Sequence, residues 1–298
     1  MKQKKIIIEH PKYENGIVTK LHPAGKAYDN EEFIHSRDGR TIRILAEYLY
    51  PEQYFRKHGI RRTIVFYGSA RTLPLETYTA RVETLKKSLA ESTEESRPAI
   101  EAELKKLLSM ADMTKCYEDA VVMAEKFSNW SMTLPKRDRF YICTGGGPGM
   151  MEAANRGAAK AGAPNIGLNI SLPFEQYPNF YITPDLNFEF HYFFMRKYWF
   201  VYLTKAIIAM PGGFGTLDEL FEILTLKQTL KVTKPLPIVL YNESFWRNLI
   251  NFDYLVETGM INEQDLNLFK FANTPDEVFN YIKDFLSQFE NVPERGAI

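Results

Sequence analysis

"AIIAMPGGFGTLDEL", residues 206–220, opens as an apolar strand, breaks into glycines and closes in acids. Ala206 to Met210 is a short unbroken apolar run, the kind that fills a parallel strand buried on both faces. Pro211 ends it, and Gly212, Gly213 and Gly215 permit backbone angles and close approaches that a side chain forbids. Thr216 stands where a helix begins, and Leu217, Leu220, Phe221 and Leu224 recur at helical spacing. N–H groups at such a start lack partners and carry the positive end of the helix dipole. The turn therefore either holds an anion, most often a phosphate, or is a bare strand-to-helix corner.

A second stretch repeats the grammar. "FYICTGGGPGMMEAANRGAAKAG", residues 140–162, reads as a strand, glycines at 145, 146, 147 and 149, and a helix from about Pro148 that closes at Gly162. A third strand, "TIVFYGSAR", ends in Gly68 and Ser69. Three strands ending in permissive residues predict one crevice at the carboxyl edge of a parallel sheet, where ligands of open α/β folds bind. Familiar nucleotide motifs are excluded by letter. Neither cluster has the lysine of a P-loop, and the dinucleotide fingerprint G-x-G-x-x-G meets Met150 or Asp218 in its third glycine slot.

From the strand at 63–67 onward, strand and helix alternate: strands at 139–143, 165–169, 206–210 and 236–240, helices at 148–161, 191–204, 216–230 and 243–258. This predicts a doubly wound parallel sheet, Rossmann-like, over 61–290, with a tail at 291–298. Residues 1–60 read as a polar arm or small hairpin followed by a helix interrupted at Pro51. At about 76–111 two charged amphipathic helices meet near Pro98, where Leu85 and Leu89 are placed to zip against Ile100, Leu104 and Leu107. Such a hairpin serves as a solvated insertion, an interface or a lid. "TPDEVFNYIKDFLSQF" reads as a final helix with Thr274 as N-cap and Glu277 as capping-box acid.

The 37 basic and 37 acidic residues cancel, so no nucleic-acid or membrane surface is advertised. No apolar run approaches a membrane span, and the start lacks a signal-peptide core, so the expected location is cytoplasmic. Cys116 and Cys143 read as packing residues of a reduced compartment, and the five histidines show no ligand spacing, so no metal is expected.

"YGSAR", "TGGGPGMMEAANRGA", "IGLNISLPFEQ", "FFMRK" and "PGGFGTLDELFEILTLKQT" resemble, in order and spacing, the Lonely Guy (LOG) family, over about residues 62–285. These are phosphoribohydrolases that release the base from nucleoside 5′-monophosphates. The pairing of an Arg-Lys dipeptide with P-G-G-x-G-T-x-x-E carries the resemblance. It implies that Arg196 and Glu219 are catalytic, and that Lys197 and the loop Gly212, Gly213, Gly215 and Thr216 bind substrate. Glu175 and Thr225 fall at contact positions, and Gly68, Ser69, Gly146 and Gly147 line the same edge. It also implies a homodimer or higher homo-oligomer with a nucleoside monophosphate as small-molecule partner. Members of this fold group have carried a lysine decarboxylase label, but no His-Lys pair suggests a pyridoxal phosphate lysine here, and no cofactor is expected.

The chemistry suits these residue types. Breaking a ribosyl N-glycosidic bond passes through an oxocarbenium-like sugar, so a carboxylate near C1′ stabilises charge or activates water. Glu219 lies one turn into the helix whose start would hold the phosphate, and Arg196 either grips the ligand or orients Glu219. Taken singly, Glu219 is a first-turn acid, Arg196 a surface ion pair, Glu175 a loop acid, Glu152 a helix-start acid and Asn155 a packing amide. The expected activity is hydrolysis of AMP or an N6-modified AMP to the base and ribose 5-phosphate. A nucleotide-sensing protein without turnover is the alternative. Aromatics at 173–192 either stack on a purine or cover the sheet.

Overall fold

The computed structural model describes residues 24–173 and 177–288, with the backbone of a two-residue strand pair, β1 (Tyr13–Glu14) and β2 (Ile17–Val18), joined antiparallel. Two compact units are present, Met1–Ala46 and Glu47–Ile298. In the first, β1 and β2 pair antiparallel, Tyr13 with Val18 and Glu14 with Ile17. The short helix α1 (Glu31–His35) is capped by the Asn30 side chain, which accepts from the Phe33 N–H at 3.0 Å. Arg43 satisfies carbonyls at the other end of α1, donating to Ile34 O at 2.5 Å and Ser36 O at 2.7 Å.

The helix α2 (Arg40–His58) runs unbroken through Pro51, where an interruption was expected. Proline removes the N–H that would bond the carbonyl four residues back, Glu47 O. That carbonyl instead accepts the Trp199 indole N–H at 3.1 Å, so the helix loses no hydrogen bond in total.

The larger unit is built on strand β3 (Thr63–Tyr67), every residue of which is buried. The chain then forms α3 (Leu75–Ala90), α4 (Arg97–Leu108), α5 (Ala111–Thr133), β4 (Tyr141–Thr144), α6 (Met150–Lys160), β5 (Ile166–Ile170) and β6 (Asn187–Phe190). It continues through α7 (Phe193–Tyr202), β7 (Thr204–Ala209), α8 (Phe214–Gln228), β8 (Ile238–Tyr241), α9 (Glu243–Leu249), α10 (Phe252–Glu257), β9 (Lys270–Ala272) and α11 (Pro275–Ser287). The seven strands β3 to β9 are all parallel, in the order β6-β5-β4-β3-β7-β8-β9. The chain walks outward from β3 to β6, returns to β7 beside β3, and walks outward again. The doubly wound, Rossmann-like sheet is as expected, and its topological switch lies between β3 and β7.

One sheet face packs on α5, α6 and α11 around Phe127, Met123, Met150, Ile208 and Val278, all fully buried. Each such side chain removed from water stabilises the fold by about 1.5–3 kcal/mol. Both cysteines are free and buried, and burial raises both thiols above their ordinary range. The insertion forms the expected hairpin: Val82 and Leu107 are buried between α3 and α4, with Leu85, Leu89, Ile100 and Leu104 half-buried. The Thr274–Glu277 capping box at α11 is present.

Three further elements differ from expectation. Strands β6 and β9 complete the sheet edges, and the expected helix 243–258 is two helices. The break falls at Asn251, whose side chain accepts from the Tyr254 N–H at 3.0 Å and so starts α10 anew. Among the described residues, no helix is long and apolar enough to cross a membrane, and no cluster of three metal-ligating side chains occurs.

Candidate active site

Three loops leave the carboxyl ends of adjacent strands β4, β3 and β7 and are stitched to one another by their backbones. Ser69 N–H donates to Pro211 O at 3.1 Å, and Met150 N–H donates to Ser69 O at 2.9 Å. Asn179, itself buried, donates through its amide to Gly146 O at 3.0 Å, Gly147 O at 3.1 Å and the Asn155 side chain at 2.9 Å. Asn155 also accepts from Thr144 and donates to Asn165, which bears out its reading as a packing amide. Glu152 accepts from the buried Tyr117 hydroxyl at 2.9 Å, a structural partner.

The loop 211–215 opens α8 with Gly213 as N-cap, and among the described residues no side chain caps it. The first helical bond runs from Leu217 N–H to Gly213 O at 3.0 Å, so the N–H groups of Phe214, Gly215 and Thr216 precede it and point off the helix start. A Cβ on Gly212 would overlap the Thr216 side chain, which folds back over the loop and is buried. Neither Gly213 nor Gly215 has a left-handed φ, and among the described residues a Cβ on either would meet nothing within 4 Å. The backbone-angle requirement expected of Gly213 is therefore absent; its φ is −96°. What its missing side chain leaves is open space over the helix start.

One turn further into α8, Glu219 is 6% exposed and accepts from Arg196 Nη2 at 3.0 Å. Burial lifts its carboxyl to about 7, against the opposing pull of Arg196 and Lys197, with Glu222 and Asp218 adding to the rise. Desolvation thus outweighs the ion pair, which leaves a group poised to exchange a proton near neutrality. The Arg196 guanidinium lies over the Phe193 and Phe200 rings, at 5.2 and 5.6 Å from their centroids. Its Nε is buried with no hydrogen-bond partner among the described residues. A Cβ on Gly145 would sit 4.0 Å from Arg196 Nη1, so the glycine loop 145–149 borders the pair.

Lys197 bonds Asp218 at 2.9 Å and Glu222 at 3.0 Å, tying α7 to α8. Partial burial pulls its ammonium down, and these two carboxylates overcome that and leave it above its ordinary value. Gly68 and Ser69 lie at the same edge, where a Cβ on Gly68 would press into Met150 and Met210. Thr225 stands apart: it is exposed, six residues past Glu219 and so on another face of α8, with its hydroxyl donated to Phe221 O at 2.7 Å. Glu175 lies outside the described residues. Tyr67 was not anticipated. This buried phenol ends β3 and is held well above its ordinary range by burial and then by the charge of Glu219. Its signal was its place as the first letter of "YGSAR", directly before the glycine. Glu222 was also missed, although it stands at i+3 from Glu219 and so on a neighbouring face.

Residues 151–282 match a family model described as possible lysine decarboxylase. Over 95 residues the chain is 32% identical to cytokinin riboside 5′-monophosphate phosphoribohydrolase LOG1 of Arabidopsis thaliana, which covers 32% of this chain and 44% of that protein. Over 94 residues it is 35% identical to the probable cytokinin riboside 5′-monophosphate phosphoribohydrolase LOG4 of Oryza sativa subsp. japonica, covering 31% and 40% of the two chains. Among solved structures, the molybdenum cofactor binding protein from Rippkaea orientalis aligns with a TM-score of 0.45 at 16% identity, over 76% of this chain and 99% of that one. The chain spans less than half the length of these curated relatives. These matches bear out the resemblance to the Lonely Guy family, and the family-model match, 151–282, contains both Arg196 and Glu219.

Proposed function

We propose that the protein hydrolyses the N-glycosidic bond of a purine nucleoside 5′-monophosphate, AMP or an N6-modified AMP, to free base and ribose 5-phosphate. The observation that carries this reading is the buried Glu219–Arg196 pair one turn above an uncapped, open helix start. The 5′-phosphate sits on the N–H groups of Phe214, Gly215 and Thr216. From Gly215 to Glu219 the helix rises roughly 6 Å, the scale of a phosphoribosyl group, so the phosphate anchor brings C1′ to the carboxylate. Glu219 takes a proton from water as the water oxygen bonds C1′, the C1′–N bond breaks toward the base, the base takes up a proton from solvent, and Glu219 returns its proton to solvent. Arg196 holds Glu219 in place through its Nη2. The curated relatives named as phosphoribohydrolases support this chemistry.

The same reading takes the protein as cytoplasmic and as a homodimer, the latter supported by exposed Phe193, Phe194, Phe214 and Phe221 on the two helices that build the site. Chromatography of nucleoside monophosphates after incubation with the protein is the test. Wild type releases base, and Glu219→Gln loses about a thousandfold or more in kcat while still binding AMP. Turnover rises with pH through about 7, as Glu219 gives up its proton, and is flat above. A wild-type protein that binds AMP and leaves it whole is a sensor, and the hydrolase reading falls.

A further inference from the structure

We propose that Glu47, which lies outside the family-matched segment, is a positioning residue that fixes Arg196 against Glu219 by clamping α7 to α2. The inference rests on the hydrolase reading above. The helix α7, "FFMRKYWFVY", begins at N-cap Tyr192 with no capping side chain of its own and no acid in its first turn. Its cap comes from another element. The Glu47 carboxylate accepts from His191 N–H at 2.8 Å with one oxygen and from Tyr192 N–H at 3.2 Å with the other. This puts a negative charge at the positive end of the helix dipole. The Tyr192 carbonyl in turn accepts from Arg196 N–H at 3.2 Å, so two consecutive hydrogen bonds link Glu47 to the backbone of Arg196.

A second grip lies one turn past Arg196. The Trp199 indole donates to Glu47 O, the carbonyl that Pro51 leaves without its helical partner. Tyr48 stacks on that indole at 5.7 Å and Phe55 meets it edge-on at 5.2 Å. One residue of α2 therefore holds α7 on both sides of Arg196, through its carboxylate and its own carbonyl.

The test compares wild type, Arg196→Ala, Glu47→Gln and Glu47→Ala on AMP. Displacing an oriented catalytic group by about an ångström costs up to a hundredfold, so the Glu47 variants are expected to lose tenfold to a hundredfold in kcat with little change in KM. The acid limb of the pH profile reports the position of Arg196. The groups facing Glu219 are Arg196 and Lys197 from α7, Asp218 and Glu222 on α8, and Tyr67 from β3. Moving Arg196 away removes the strongest charge holding the Glu219 proton off, so the limb moves upward. A variant that is only less stable has fewer active molecules and an unmoved limb. Carboxyl-carbon NMR of Glu219 in the same proteins reads this shift without turnover. Wild-type kcat, limb and Glu219 titration in both variants overturn the inference and leave the hydrolase reading intact. If wild type turns over no nucleotide, the hydrolase reading fails, and the Glu219 titration alone decides the positioning: an upward shift supports it and an unmoved titration overturns it. Glu47→Gln keeps the side-chain volume and replaces one acceptor oxygen by a donor, so the test holds even where Glu47→Ala does not fold.

Discussion

The two glycine loops, 145–149 and 212–215, share a sequence grammar and lie on one sheet edge, yet they need their glycines for different reasons. In the first, Gly146 and Gly149 hold φ of +74° and +71°, and a Cβ on them would overlap the Asn169 side chain and the Ser69 carbonyl. The fold itself excludes a side chain there. In the second, only Gly212 is excluded by its neighbours, while Gly213 and Gly215 have ordinary backbone angles and open space where a Cβ would go. Gly213 and Gly215 leave open the space over the helix start where the proposed phosphate would lie. Glycine spelling alone does not separate scaffold from site, and the atoms around each Cβ position do.

Substitution at the first loop breaks the comparison on the side of stability and has the largest expected effect. Gly149→Ala forces an L side chain into left-handed backbone and against Ser69 O and the Ala70 backbone, which cannot retreat like a flexible side chain. A loss of about 3 kcal/mol or more is expected, read as a lowered urea midpoint at unchanged slope. A stability within error of wild type would show that the first loop is as permissive as the second.

The second loop gives the converse. Gly213→Val should leave the midpoint within about 0.5 kcal/mol of wild type, since a Cβ there meets nothing within 4 Å among the described residues. Turnover of AMP should fall roughly tenfold to a hundredfold, because the branched side chain stands where the phosphate approaches the N–H groups. Adenosine, lacking that phosphate, should be a poor substrate for both proteins and barely affected by the change. Equal efficiencies on AMP and adenosine in wild type would reduce both loops to turns.

What the sequence made legible follows the same division. Parallel strands buried on both faces announce themselves as apolar runs, which is why β3, β7 and the strand-to-helix alternation were readable from letters. Edge strand β6 alternates exposed and buried residues over only four positions, Asn187 to Phe190, and merged with the aromatic run around it. Strand β9 has three residues, too few for any period to show. At the site, Arg196 and Glu219 were legible through their motif, 23 residues apart in sequence and joined in one ion pair. Thr225 was placed by the same motif, and helical geometry turned it to another face. Tyr67 and Glu47 were not legible because their roles come from contacts across the sheet edge and between helices, which no local spacing encodes. Pro51 shows the limit most directly: the rule that proline breaks a helix assumes that the freed carbonyl has no other donor, and Trp199, about 150 residues later, supplies one.

The helices that follow the two loops end in the same way with different residues, and this gives the smallest expected effect. Gly162, just past α6, has φ of +67°, and Leu230, just past α8, has φ of 58°. Both occupy the left-handed position that terminates a helix, where glycine carries no Cβ penalty. Leucine there costs about 1–2 kcal/mol of backbone strain, and its side chain, 74% exposed, recovers little by burial. Leu230→Gly removes the strain and adds about 0.4–1 kcal/mol of unfolded-chain entropy, so the net expectation is a gain of roughly 0.5 kcal/mol. A small upward shift in melting temperature with unchanged AMP turnover is the expected result, since α8 keeps its start and Glu219 lies three turns away. A clear loss of stability would mean that Leu230 is held by contacts that its exposure does not show, and that the end of α8, like the first loop and unlike the second, is set by the fold.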